Sequence, residues 1–212
     1  MVRFVTFEGG DGTGKTTQIH ALENYLTSHG LPNLVTREPG GTSLGKLIRQ
    51  VLLEVSDRDI TPTTELFLYL ADRAQHVKEI IYPAISSGKI VLCDRFTDST
   101  LAYQGYGRGV DLKLLRQLND LAADGARPDL TFLLDCPVAL GLERTRRRQH
   151  EAGQLREDRF EHEKIEFHEK IRAGFLAIAR AEPERFRVVD ASPAVDEVQR
   201  TIQKIAAREL LP

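Results

Sequence analysis

The chain has no tryptophan, one methionine and only two cysteines among its 212 residues. Cys93 and Cys136 are too few for a disulfide framework, and a chain of this length can bury enough apolar surface without one, so a reducing interior is expected. No stretch approaches the roughly 18 consecutive apolar residues of a membrane span. The first residues, Met1 to Glu8, run into glycines before a signal-like apolar segment develops, and a cytoplasmic address is the simplest expectation. An excess of charge is missing too. Twenty-nine basic residues against 31 acidic leave a net charge of −2, which gives no bulk electrostatic case for nucleic-acid or membrane-surface partners. Repeats and low-complexity tracts are also absent. What is present, 41% hydrophobic and 28% charged residues with no composition shift, fits one domain spanning residues 1–212.

Short β-rich runs alternate with longer helical patterns. Phe4–Phe7, Leu34–Thr36, Ile90–Cys93, Thr131–Leu134 and Phe186–Val189 read as five strands, apolar enough to be buried on both faces. Ile19, Leu22 and Leu26 mark a helix ending near Gly30, and Leu112, Leu115, Leu118 and Leu121 another ending near Gly125. Glu65–Ser87 is the longest helical pattern, with a bend expected near Pro83, and Arg159–Ala181 and Val195–Leu210 read as helices as well. The alternation predicts an α/β fold with a parallel sheet.

Directly after the first strand stands Gly9-Gly10-Asp11-Gly12-Thr13-Gly14-Lys15-Thr16, followed by Thr17 and a helix. This is a full phosphate-loop pattern in its required context. Its glycines let backbone N–H groups turn in around a phosphate, Lys15 reaches the terminal phosphate oxygens, and the Thr16 hydroxyl is placed to ligate Mg²⁺. The loop names a nucleotide donor and leaves the acceptor open. No Asn-Lys-x-Asp guanine-reading element is found, which weighs against a GTPase. Asp94-Arg95 closes an apolar strand, so both residues are expected in the crevice outside the strand ends, although taken alone the pair also fits a strand-end cap and its salt bridge. Tyr69 and Arg73 are four apart on a helix, projecting a flat ring and a planar cation together. That suits a nucleobase, while the leucines around Tyr69 suit plain core packing.

Thr36 to Thr42, Ala71 to His76 and Asp94 to Gly105, together with the phosphate loop, closely resemble bacterial thymidylate kinases over Phe7 to about Ala179. The resemblance implies a three-layer P-loop nucleoside monophosphate kinase fold, with a five-stranded parallel sheet flanked by helices and a mobile lid. It implies Mg²⁺-dependent transfer of the ATP γ-phosphoryl group to dTMP for dTTP synthesis, and a homodimer. Residue by residue, it implies that Tyr69 stacks on thymine and that Arg73 bonds its carbonyl edge. Thr100 meets the base, with Ser99 and Gln104 beside it, and Tyr103 fills the space of a ribose 2′-hydroxyl. Arg95 holds the acceptor phosphate with Arg37 and Glu38 nearby, Asp94 fixes Arg95 or polarises water around Mg²⁺, and Asp11 approaches the sugar and metal shell. Gly12 stands where some members carry an arginine that reaches the transferred group, so this chain is expected to supply that charge elsewhere.

Six arginines, Arg144, Arg146, Arg147, Arg148, Arg156 and Arg159, crowd a segment interrupted by polar and glycine residues. Phosphoryl transfer needs positive charge on the migrating group in a site closed to water, so residues 143–159 are expected to form the lid, with Arg144 and Arg148 on one helical face as candidates. Interspersed acids also fit a solvated charged helix. The expected catalytic set is therefore Lys15, Arg95, Asp11, Arg144 and Arg148. The nearest alternative is a deoxynucleoside kinase using Glu38 as base; such enzymes commonly place a tryptophan after a Glu-Pro pair, and this chain has none. The histidines show no metal-ligand spacing, so no zinc site is expected.

Overall fold

The computed structural model describes residues 2–53, 60–151 and 163–211. The five strands lie where the apolar runs are, each slightly longer: β1 (Phe4–Glu8), β2 (Asn33–Arg37), β3 (Ile90–Asp94), β4 (Leu130–Asp135) and β5 (Phe186–Asp190). They form one all-parallel sheet in the order β2-β3-β1-β4-β5. Successive connections leave the central β1 first towards one edge and then towards the other, which opens a crevice at the carboxyl end of β1.

The helices are α1 (Lys15–Ser28), α2 (Ser43–Leu53), α3 (Pro62–His76), α4 (Tyr82–Ser86), α5 (Thr97–Thr100), α6 (Leu112–Ala123), α7 (Val138–Glu151), α8 (Ile165–Ala181) and α9 (Val195–Glu209). The period-two pattern of the strands divides them between two faces. Val5, Phe7, Leu92, Phe132 and Leu134 pack with Ile19, Leu22 and Leu26 of α1 and with Val198, Ile202 and Ala206 of α9. The opposite face presents Phe4, Val91 and Cys93 to Val77, Ile81 and Phe96. On that same side, Leu133 and Phe186 meet Leu66 and Leu70 of α3, Leu115 of α6, and Phe167, Ile171 and Phe175 of α8. Thr6 and Thr131 also lie inside the structure and satisfy one another through their hydroxyls at 2.8 Å.

Several element bounds follow from local chemistry. Thr61 accepts from the Thr64 N–H and Pro62 takes the first helical position, where no N–H is needed, so α3 starts before Glu65. Before Pro83 the helix widens into a π segment, Val77–Ile81, in which the Tyr82 N–H reaches back to the Val77 carbonyl. A proline has no N–H and crowds the preceding turn, and the wider turn accommodates both effects. α5 likewise continues as a π segment, Leu101–Gly107. The helix expected from Arg159 begins at Ile165, and Arg159 itself lies outside the described residues. α2 was not among the expected helices. Among the described residues no helix is long and apolar enough to cross a membrane.

Candidate active site

The carboxyl ends of β1, β2 and β3 open into a cleft of about 210 Å³. Its floor is the phosphate loop. Gly9, Gly12 and Gly14 all have positive φ, at 135°, 72° and 87°, so the turn depends on residues without a Cβ. Thr13 ties the loop to itself by donating to the Gly10 carbonyl at 3.0 Å. Lys15 donates to the carbonyls of Gly10 and Gly9 at 2.8 and 3.1 Å. Burial, with the Arg95 cation nearby, pulls its pKa down to about 8. Asp11, Gly12, Gly14, Thr16 and Thr17 line the cleft, and the Thr16 hydroxyl donates to Asp94 Oδ2 at 3.0 Å.

Arg95, just after β3, packs against this loop. One guanidinium nitrogen donates to Asp11 Oδ1 at 2.6 Å, and another to the Gly9 carbonyl at 3.0 Å and the Ser99 hydroxyl at 3.2 Å. The group lies 5.0 Å over the Tyr103 ring, and the Tyr103 hydroxyl donates to Asp11 Oδ2 at 3.1 Å. Burial alone would raise the Asp11 carboxyl. The Arg95 and Lys15 charges and the Tyr103 hydroxyl outweigh it and hold Asp11 below the ordinary carboxylate value.

The rest of the cleft wall comes largely from α3, α5 and the segments beside them. Tyr69, Thr100, Gln104, Phe96 and Pro39 line it with Arg73. Arg73 is 2% exposed, with Nε and one terminal nitrogen meeting Glu38 at 2.9 Å and the other terminal nitrogen donating to Thr100 at 3.0 Å and Asn119 at 2.6 Å. Glu38 also accepts from His76 Nδ1 at 2.9 Å, and His76 Nε2 meets the Thr36 hydroxyl at 2.6 Å. Gln104 donates to the buried Glu65 at 2.8 Å. Arg37 lines the rim.

The two lid candidates part company. Arg148 lines the cleft, whereas Arg144 donates to the carbonyls of Ala191 and Ser192 at 2.7 and 3.0 Å and does not line it. Arg156 and Arg159 lie outside the described residues.

The family model for thymidylate kinase matches residues 7–202. The chain belongs to the thymidylate kinase family. It is 54% identical over 199 residues to a thymidylate kinase of Geotalea uraniireducens, covering 94% of this chain and 93% of the relative. A thymidylate kinase of Desulfovibrio desulfuricans is 54% identical over 196 residues, covering 92% and 90%. The crystal structure of the Ehrlichia chaffeensis thymidylate kinase superposes with a TM-score of 0.75 at 36% identity, covering 96% and 97% of the two chains.

Some residues of this thymidylate kinase cleft escaped the reading of its sequence. Arg49 and Leu53, which line it, come from α2, and Arg49 donates to the Pro39 carbonyl at 3.0 Å. Spacing within α2 was the available signal, because Leu44, Ile48 and Leu52 already follow a helical repeat. Asn119 and His76 hold Arg73 and Glu38 from sequence distances that no local pattern spans.

Proposed function

We propose that the chain transfers the γ-phosphoryl group of ATP to the 5′-phosphate of dTMP, giving dTDP and ADP. The single observation that carries this is the arrangement in one cleft: the phosphate loop with Lys15, and Arg95 with Tyr103 beside it, held against that loop through Asp11 and the Gly9 carbonyl. A donor held by the loop and an acceptor phosphate held by Arg95 meet in line. The acceptor is already anionic, so no general base is needed. Lys15, Arg95 and Arg148 neutralise charge as it spreads over the transferred group. Asp11 keeps Arg95 oriented and faces the sugar with Tyr103, whose ring occupies the space of a 2′-hydroxyl. Tyr69 stacks on thymine, and Arg73 and Thr100 meet its polar edge, with Ser99, Gln104, Glu38 and Arg37 completing the acceptor side.

The Thr16 hydroxyl and the Asp94 carboxylate, adjacent at 3.0 Å, fit Mg²⁺, an oxygen-seeking ion that takes few protein ligands and completes its shell with water and phosphate. Bound there, it supplies charge neutralisation of the donor phosphates. A homodimer is supported by an apolar strip on α2 and α3, where Leu44, Leu47, Val51 and Phe67 are 48–60% exposed. The buried free thiols of Cys93 and Cys136 suit a cytoplasmic address.

A deoxynucleoside kinase would need Glu38 free to take a proton. Glu38 is 4% exposed and committed to Arg73 and His76, so the nucleoside reading is disfavoured. A coupled ADP-release assay over dTMP, dUMP, dCMP, dGMP and thymidine tests the assignment. Turnover is expected with dTMP; turnover with thymidine but not dTMP would overturn it.

A further inference from the structure

Glu8 ends β1 on the sheet face of Phe4 and Thr6, and it is completely buried. One carboxylate oxygen accepts from the Phe96 backbone N–H at 2.8 Å and the other from the Ser99 hydroxyl at 2.6 Å. Ser99 in turn accepts from Arg95 at 3.2 Å and lines the cleft. A serine hydroxyl has one proton to donate. When Glu8 is ionised, that proton points back at Glu8. When Glu8 holds a proton, its own O–H donates to Ser99, and the Ser99 proton is released towards the cleft.

We propose that Glu8 is a positioning residue that carries a proton while the acceptor phosphate is bound, donating to Ser99 so that Ser99 donates to that phosphate. The proposal rests on the assignment of the acceptor phosphate to Arg95. The one covalent bond formed is the Glu8 O–H, whose proton is taken from solvent when binding occurs above neutral pH; the rest is a rearrangement of hydrogen bonds. The surroundings favour it. Burial, and then the Asp98 carboxylate on α5, push the Glu8 pKa up to about 8, against the pull of Ser99, Arg95 and the Phe96 N–H. Lys15 of the phosphate loop and the Cys93 thiol of β3 also face it electrostatically, and Asp98 is itself paired with Arg185 at 2.7 Å. An arriving phosphate dianion adds negative charge near Glu8 and strengthens its hold on the proton.

Calorimetric titration of dTMP into the full-length protein at about pH 8.5, in two buffers of different ionisation enthalpy, counts the protons taken up. The dTMP phosphate is already fully ionised there, its second pKa being about 6. The wild type is expected to take up a measurable fraction of a proton. Glu8→Gln, whose amide accepts from Phe96 and donates permanently to Ser99, is expected to lose at least half of that uptake. Lys15 feels the Glu8 charge, so the comparison is repeated in a Lys15→Met background, where the Glu8-dependent uptake is expected to persist and its disappearance overturns the proposal. A wild type that takes up no proton, or a Glu8→Gln protein that takes up as much as the wild type, overturns the proposal. Ser99→Ala gives a reading independent of Glu8→Gln folding: its dTMP Kd is expected to lose most of the weakening the wild type shows between about pH 7.5 and 9, and an unaltered pH dependence overturns the proposal. Arg95→Ala titrated in parallel separates the two assignments. Unchanged dTMP binding there overturns the phosphate assignment and this proposal together, whereas weakened binding without Glu8-dependent uptake overturns this proposal alone.

Discussion

Arg95 is held at φ 71°, a left-handed backbone that costs a residue with a Cβ about 1–3 kcal/mol. The tight turn from β3 into α5 is what spends that energy, and it aims the guanidinium at Asp11, Gly9 and Ser99 at once. A lysine keeps the charge but lacks the planar fork. Arg95→Ala is therefore expected to lower kcat/KM for dTMP by roughly 10²–10³-fold, with ATP affinity nearly intact, and Arg95→Lys to recover only a small part, as steady-state kinetics with each substrate varied will show. Tyr103→Ala removes both the ring and the hydroxyl on Asp11. Its expected effect is weaker discrimination against the ribose analogue of dTMP, read as the ratio of the two kcat/KM values. The acid-arginine pair at a strand end was legible in the sequence, because strand ends face the crevice in parallel sheets. The strained backbone was not, since it arises from the close turn that links β3 to α5.

Within α3, the four-residue spacing of Tyr69 and Arg73 gave away which two side chains share the pocket. It could not reveal that Arg73 is clamped by Glu38, 35 residues before it, and by Asn119, 46 residues after it. Those contacts exist only because the sheet brings the end of β2 beside α3 and α6. Removing one partner leaves the other charge buried and unpaired, which typically costs 3–5 kcal/mol. Glu38→Ala should lose about that much stability by urea denaturation and also weaken dTMP binding. The same packing explains the π segment ahead of Pro83: the proline was visible in the sequence, but whether the chain would bend, break or widen there depended on Val77 and Ile81 being fixed in the core.

At the scale of the whole molecule, the alternation of runs disclosed the parallel sheet, and the phosphate loop with the strand-end Asp94-Arg95 pair disclosed the cleft, but not that Arg144 and Arg148 would divide. Arg144 fastens α7 to the β5–α9 connection while Arg148 faces the cleft. Two buried carboxyls give the molecule a pH signature. Asp72, through burial and then the Glu38 charge, has its pKa raised to about 6, and Glu8 to about 8. Both bind their protons more tightly folded than unfolded, so their contribution to stability is full below about pH 4 and is lost as pH rises through 6 and then 8. Asp72→Asn is expected to flatten the fall in stability between about pH 4 and 6, followed by urea titrations across that range. For the homodimer proposed through the apolar strip on α2 and α3, the wild type is expected to sediment as a dimer and Leu47→Glu as a monomer in analytical ultracentrifugation, because a charge cannot be buried there unpaired.

Gly12 is left-handed, and a Cβ added to it would run into the carbonyl of Gly141 on α7. The phosphate loop and α7 thus touch backbone to backbone, with no room for a side chain between them. An arginine introduced at position 12, as some relatives of the resembling family carry, cannot simply be grafted into this chain: α7 would have to retreat, and Arg148 with it. A side chain at position 12 and an α7 packed this closely on the loop are, in this geometry, mutually exclusive, so that gaining the one requires a joint change in two distant parts of the chain.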